Sequence, residues 1–168
     1  SNTYGQLGID NDTTIGNSSS RGTELLSGIN LGSGRTATQI SVGGWHVCAV
    51  LDNASVKCWG RNKRGQLGIE NPDDTGKNSG DMASLNVVNL GSGRTATQVA
   101  AGKEHSCALL DNGSVKCWGY NLYGQLGIDN TTATMGDSSG DMALLNGINL
   151  GTGRTAVQIS AGQSHNCA

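Results

Sequence analysis

Hydrophobic and polar residues alternate along this chain in runs too short for helices. TATQVAAG (95–102), HSCALL (105–110) and SVKCWG (114–119) are β-branched or roughly alternating, and glycines bound them. That pattern predicts strands. NVVNLG (86–91), just before GSGRT, predicts a fourth, and no stretch sustains a 3.6-residue period. Between the second and third segments, Asp111-Asn112-Gly113 suits a three-residue hairpin loop closed by a left-handed glycine.

The same runs recur. LGSGRTATQISVGGWHVCA, LGSGRTATQVAAGKEHSCA and LGTGRTAVQISAGQSHNCA begin at residues 31, 90 and 150, steps of 59 and 60. NTYGQLGID at residue 2 returns at 62 and 121, whereas the segment V/L-L-D-N-A/G-S-V-K-C-W-G occurs twice, at 50–60 and 109–119. The period divides the chain into repeats at 1–60, 61–119 and 120–168, the third lacking its last hairpin strand. Four short antiparallel strands per period predict an all-β chain of propeller blades, either part of a closed ring or an open array.

The hairpin symmetry fixes the cysteines. Centring each turn on Asn53 or Asn112 sets Cys48 opposite Cys58 and Cys107 opposite Cys117 at non-hydrogen-bonded positions, close enough for disulfides. Cys167 holds the same repeat position, and its partner is expected ten residues on, beyond residue 168. A metal held by His46, Cys48 and Cys58 is the rival reading, but it lacks a fourth ligand. Ala54, standing where Gly113 stands, should be strained by about 1 kcal/mol.

The stretch AAGKEHSCALLDNGSVKCWGYNLYGQLG (100–127) resembles the regulator of chromosome condensation repeat family. The resemblance covers essentially the whole chain and implies blades of a β-propeller, commonly seven-bladed. It also implies guanine-nucleotide exchange on a small GTPase as one possible role. Two departures stand out: long connections such as ENPDDTGKNSGDMASLN (70–86), and the paired cysteines.

Composition narrows the partners. A formal charge of -2 spread along the chain leaves no basic footprint for nucleic acid, and no apolar run is long enough to span a bilayer. Disulfides imply an oxidising, extracellular or cell-surface setting. No catalytic group, cofactor or metal is expected. His46, His105 and His165 share one repeat position, as scaffold histidines would, and Trp59 and Trp118 should pack between blades. The GSGRT loops read as hairpin connections, and the Asn/Asp-rich segments fit no EF-hand spacing.

Function is sought where the copies disagree. Ser1, Thr3 and Tyr4 correspond to Arg61, Lys63 and Arg64 and then to Tyr120, Leu122 and Tyr123, and Trp45 corresponds to Glu104 and Ser164. Trp45, Arg61, Lys63, Arg64, Tyr120 and Tyr123 are therefore the candidate partner-binding residues, for a protein or an extracellular polymer. End-to-end self-association into a fibre or surface array is the alternative. The N-x-S/T triplets at Asn11, Asn17, Asn53, Asn112 and Asn130 are candidate glycan sites, the loop positions Asn11, Asn17 and Asn130 ahead of the tight turns.

Overall fold

The computed structural model describes residues 1–16, 27–130 and 132–168. Three antiparallel sheets follow one another. The first contains β1 (Ala37–Val42), β2 (His46–Leu51) and β3 (Val56–Gly60) in that order. After the single turn α1 (Asp81–Ser84), the second contains β4 (Ala96–Ala101), β5 (His105–Leu110), β6 (Val115–Tyr120) and β7 (Thr134–Met135). A second turn, α2 (Asp141–Leu144), leads to the pair β8 (Ser160–Ala161) and β9 (Asn166–Cys167).

The fourth strand is not where the sequence pattern puts it. Residues 86–91 form no strand, and Val88 donates one backbone hydrogen bond to Val56 (2.8 Å). The other end of the β3 edge pairs with Thr75, and in the second sheet β7 pairs Gly119 with Met135 and Tyr120 with Thr134. The long connection thus covers one strand edge with two separate pieces. The GSGRT loops are likewise turns entering β1 and β4 rather than hairpin connections. Arg35 and Arg94 reach from them to Asp52 and Asp111 in the hairpin turns (3.4 and 3.2 Å).

The helical turns are organised by a carboxylate. Gly80, at φ 86°, admits the chain, and Asp81 Oδ2 accepts the backbone N–H groups of Gly76, Lys77 and Asn78. Asp141 repeats this with Gly136 and Ser138. Among the described residues no helix is long and apolar enough to cross a membrane.

Cross-strand register is as the hairpin symmetry requires. Cys48 faces Cys58 and Cys107 faces Cys117, and both pairs are disulfides with Cα separations of 4.1 and 4.0 Å. Ala54 does adopt the left-handed conformation, at φ 61° against 77° for Gly113. Cys167 is an exposed free thiol on β9, opposite Ser160.

Alternation gives the inner strands of the first two sheets two buried faces. Cys48, Val50, Val56 and Cys58 join the second sheet in one core, while Val47, Ala49, Leu51 and Trp59 pack on the other side with Met82 and Leu85. Neighbouring sheets are then tied by polar side chains repeating about 60 residues apart. The Gln39 amide donates to Val99 O and accepts from Val99 N, and Gln98 does the same with Ile159. The carboxylates of Asp10 and Glu70 accept the backbone N–H of Met82 and Met142.

The histidines complete the tie. Ser106 Oγ gives its hydrogen to Gln66 O (2.8 Å), so it must accept from His46 Nε2–H (2.9 Å). In the next copy His105 Nε2 bonds Asn166 Oδ1, and the Asn166 amide donates to Gln125 O. This leaves Nδ1 of both rings buried with no partner. A proton added there would be buried away from water, so burial, with a smaller contribution from the charge of His105, outweighs an opposing backbone hydrogen bond at His105 and lowers the His46 pKa to about 3. Burial lowers that of His105 too.

The unfolded chain binds a proton at His46 below about pH 6.5, and the folded chain refuses it until about pH 3. Stability therefore falls as pH drops through that window, by about 1.4 kcal/mol per unit. Chemical denaturation should show a loss of stability between pH 7.5 and pH 4.5 that is smaller by about 2 to 3 kcal/mol in His46→Gln, the remainder including the His105 contribution. Equal losses in parent and variant would assign the acid sensitivity elsewhere.

Candidate partner-binding face

The invariant residues of each repeat hold the variable ones. In N-x-x-G-Q-L-G, the asparagine Oδ1 accepts the leucine N–H: Asn2 from Leu7, Asn62 from Leu67, Asn121 from Leu126. The glutamine Oε1 accepts the N–H of the residue two before it, which is Tyr4, Arg64 or Tyr123. Variable side chains thus project from a loop whose backbone is fixed by two amides. A second latch brings in the turn before the middle strand, since Arg61 N–H donates to Trp45 O and Tyr120 N–H to Glu104 O (both 2.9 Å).

These latches assemble two adjoining clusters. The Arg61 guanidinium lies over Tyr4 (5.3 Å) and over Trp45 (5.1 Å), while its Nη1 pairs with Glu104 (2.7 Å). Lys103 Nζ lies 5.7 Å from the Trp45 ring. In the second cluster Arg64 stacks on Tyr120 at 4.7 Å, and Tyr120 meets Tyr123 edge-on at 6.0 Å. Glu104 joins them, its carboxylate in the first and its carbonyl latched to Tyr120. Cation–π contacts of this kind contribute about 0.5–1 kcal/mol each at exposed positions and hold long side chains in place.

Five of the six predicted residues, Trp45, Arg61, Arg64, Tyr120 and Tyr123, therefore meet in these clusters. Lys63 is exposed nearby but borders a polar cavity with Asp73, Asp74 and Lys77. Lys103 was missed, although its signal was present: the position reads Gly44, Lys103 and Gln163 beside variable Trp45.

Other candidates lie apart. Trp118 is buried and donates Nε1–H to Gln66 O (3.0 Å), and Trp59 does so to Gln6 O (3.2 Å), so both rings join sheet to loop. Asn11, Asn53, Asn112 and Asn130 are exposed, and Asn17 lies outside the described residues. In the tight turns Asn53 and Asn112 use Oδ1 to accept both the backbone N–H and the hydroxyl of Ser55 and Ser114. Lys57 and Lys116 are buried, which lowers both pKa values, and Lys116 Nζ donates to Met142 O.

Comparison with known proteins agrees with this geometry. The regulator of chromosome condensation (RCC1) repeat pattern matches residues 37–66 and 96–125, and a second form of it matches 55–109. The chain belongs to the RCC1 repeat family. It is 40% identical over 94 residues to the human probable E3 ubiquitin-protein ligase HERC3, matching 56% of this chain and 8% of that one. Against the Arabidopsis thaliana ultraviolet-B receptor UVR8 the values are 34% over 94 residues, 56% and 20%. The structure of human WBSCR16 superposes with a TM-score of 0.67 at 20% identity, over 95% of this chain and 36% of that one. Prp20p of Saccharomyces cerevisiae gives 0.53 at 26%, over 74% and 28%. The chain thus spans a fifth or less of these two relatives' lengths and carries RCC1 repeats in an all-β, propeller-type fold.

Proposed function

We propose that the chain is a non-enzymatic, extracellular scaffold that binds another protein through the Trp45–Arg61–Tyr120 face. The observation that carries this is a division of labour. Residues repeated in every copy hold the backbone, whereas the residues that differ are gathered, pre-stacked, on one set of loops. Ordering those side chains in the free protein lowers the entropy lost on binding. The structure of Prp20p is described with its binding properties to Gsp1p and histones, which supports protein binding as the kind of role. Two cross-strand disulfides support an oxidising setting.

Selecting a random displayed-peptide library on the chain tests the reading. Trp45→Ala with Tyr120→Ala should reduce retention of the selected peptides at least about tenfold, the loss of one or two hot-spot contacts, with the thermal midpoint little changed. Undiminished binding by that variant would refute it. Head-to-tail joining of copies has one observation in its favour, the exposure of Ile40 and Val42 on β1 (56% and 69%). Against it stands Val47, which occupies the position where Ser106 and Asn166 receive a neighbour's histidine. His165 of a second copy would find no acceptor there. The face offers no reason to prefer nucleotide exchange over simple binding.

A further inference from the structure

We propose that the partner recognised by this face presents an acidic peptide segment carrying apolar side chains. The proposal rests on the reading of the face as a protein-binding surface and adds the chemistry of its ligand. Among the described residues Arg35, Arg61, Lys77 and Arg94 each have a carboxylate partner, and Lys57 and Lys116 are buried. That leaves Lys63, Arg64, Lys103 and Arg154 without one. Arg154 occupies the repeat position at which Arg35 and Arg94 meet an aspartate, so its charge belongs to the scaffold pattern. The other three stand on the loop face of a chain whose net charge is -2.

They are not equivalent. Lys63 shares its cavity with Asp73 and Asp74, which offset it. Arg64 and Lys103 instead have aromatic rings beside them, Tyr120 at 4.7 Å and Trp45 at 5.7 Å. A ring positions a cation without neutralising it, so both retain their capacity to pair with carboxylates, and the Arg64 guanidinium is planar and can take one bidentately. Beside them Leu122 and Tyr123 are 61% and 70% exposed and supply apolar contact. Carboxylates for Arg64 and Lys103, with apolar side chains for Leu122 and Tyr123, describe an acidic, partly apolar peptide. Single-stranded nucleic acid would need a series of open ring faces. Here the rings of Tyr4, Trp45 and Tyr120 already carry the chain's own cations.

Fluorescence anisotropy of the full chain with three labelled probes tests this: a peptide of Asp and Glu with interspersed Leu, its counterpart with Lys for each acidic residue, and oligo-dT. The expected result is binding of the acidic peptide alone, weakened by salt. Arg64→Ala with Lys103→Ala should weaken it about tenfold or more, as loss of two charge contacts would, while Arg154→Ala leaves it unchanged. No binding of the acidic peptide, equal binding of the basic one, preference for oligo-dT, or indifference to the Arg64/Lys103 change would each overturn the proposal. If displayed peptides still require Trp45 and Tyr120 but not Arg64 or Lys103, the acidic inference fails while the binding face stands.

Discussion

Replacing all four bridged cysteines, Cys48, Cys58, Cys107 and Cys117, with alanine is expected to cost about 5 kcal/mol. Each bridge joins residues ten apart across a hairpin. In the chain-entropy treatment, closing so short a loop contributes about 2 to 3 kcal/mol, and because the two loops do not overlap along the chain their unfolded-state contributions add. Packing raises the cost further, because the sulfurs touch the next sheet: Cys48 Sγ lies 3.6 Å from Ser106 Oγ and Cys117 Sγ 3.8 Å from Asn166 Nδ2. With domains commonly stable by about 5–15 kcal/mol, the fourfold variant should lose at least about a third of the parent's stability, and each double variant about half as much. Urea unfolding of the oxidised parent and the three variants checks this. A fourfold variant within about 1 kcal/mol of the parent would mean that the hairpins are constrained without their bridges.

Gly102→Ala is the second large effect. Gly102 needs no left-handed backbone; what it lacks is room. A methyl group there would overlap Cε1 of the His105 ring and lie 2.7 Å from the Gly162 carbonyl oxygen of the next unit. The ring cannot yield without breaking its bond to Asn166, and the carbonyl is backbone. Overpacking of this kind costs about 3 kcal/mol or more, a size reserved for a few mechanisms. Gly147→Ala is the matched control. Its methyl would meet Ser114 Cβ at an ordinary 3.4 Å. Thermal unfolding of the two variants should separate their midpoints by about 6–12 degrees, as expected for a chain of this length, and similar midpoints would refute the tight G-x-x-H contact.

The parts of this architecture that were legible in the sequence are those encoded within a few residues. Strands β2 and β5, their partners β3 and β6, and the disulfide register all follow from a symmetric turn between alternating segments. The loop face was legible for a different reason. Three copies of one unit act as their own controls, so Trp45, Arg61, Arg64, Tyr120 and Tyr123 stood out by disagreeing with their counterparts.

What escaped was tertiary or very short. Val87 and Val88 have strong β propensity, yet Thr75 and the two-residue β7 take the ladder positions, and neither is long enough to show a period. The turns α1 and α2 contain four residues each, about one helical turn, and depend on a carboxylate collecting backbone N–H groups. The His–Ser–Gln and His–Asn–Gln ties join residues some 40 to 60 apart, and their middle member differs between copies. Repetition of the histidine alone announced a structural role without naming its partner.

The central claim is that each sheet is completed by the next one, so that a side chain on one unit is dry only because its neighbour covers it. His46 reports on this directly, since its ring packs on Gly43 of its own unit but bonds Ser106 of the next sheet, which in turn bonds the Gln66 loop. The most direct measurement is the pH titration of the His46 ring proton signals by NMR. The account predicts a neutral Nε2–H tautomer that titrates at about 3, if the fold survives to that pH. Titration of a folded chain near the ordinary value of about 6.5 would place the ring in water and contradict the stacked arrangement.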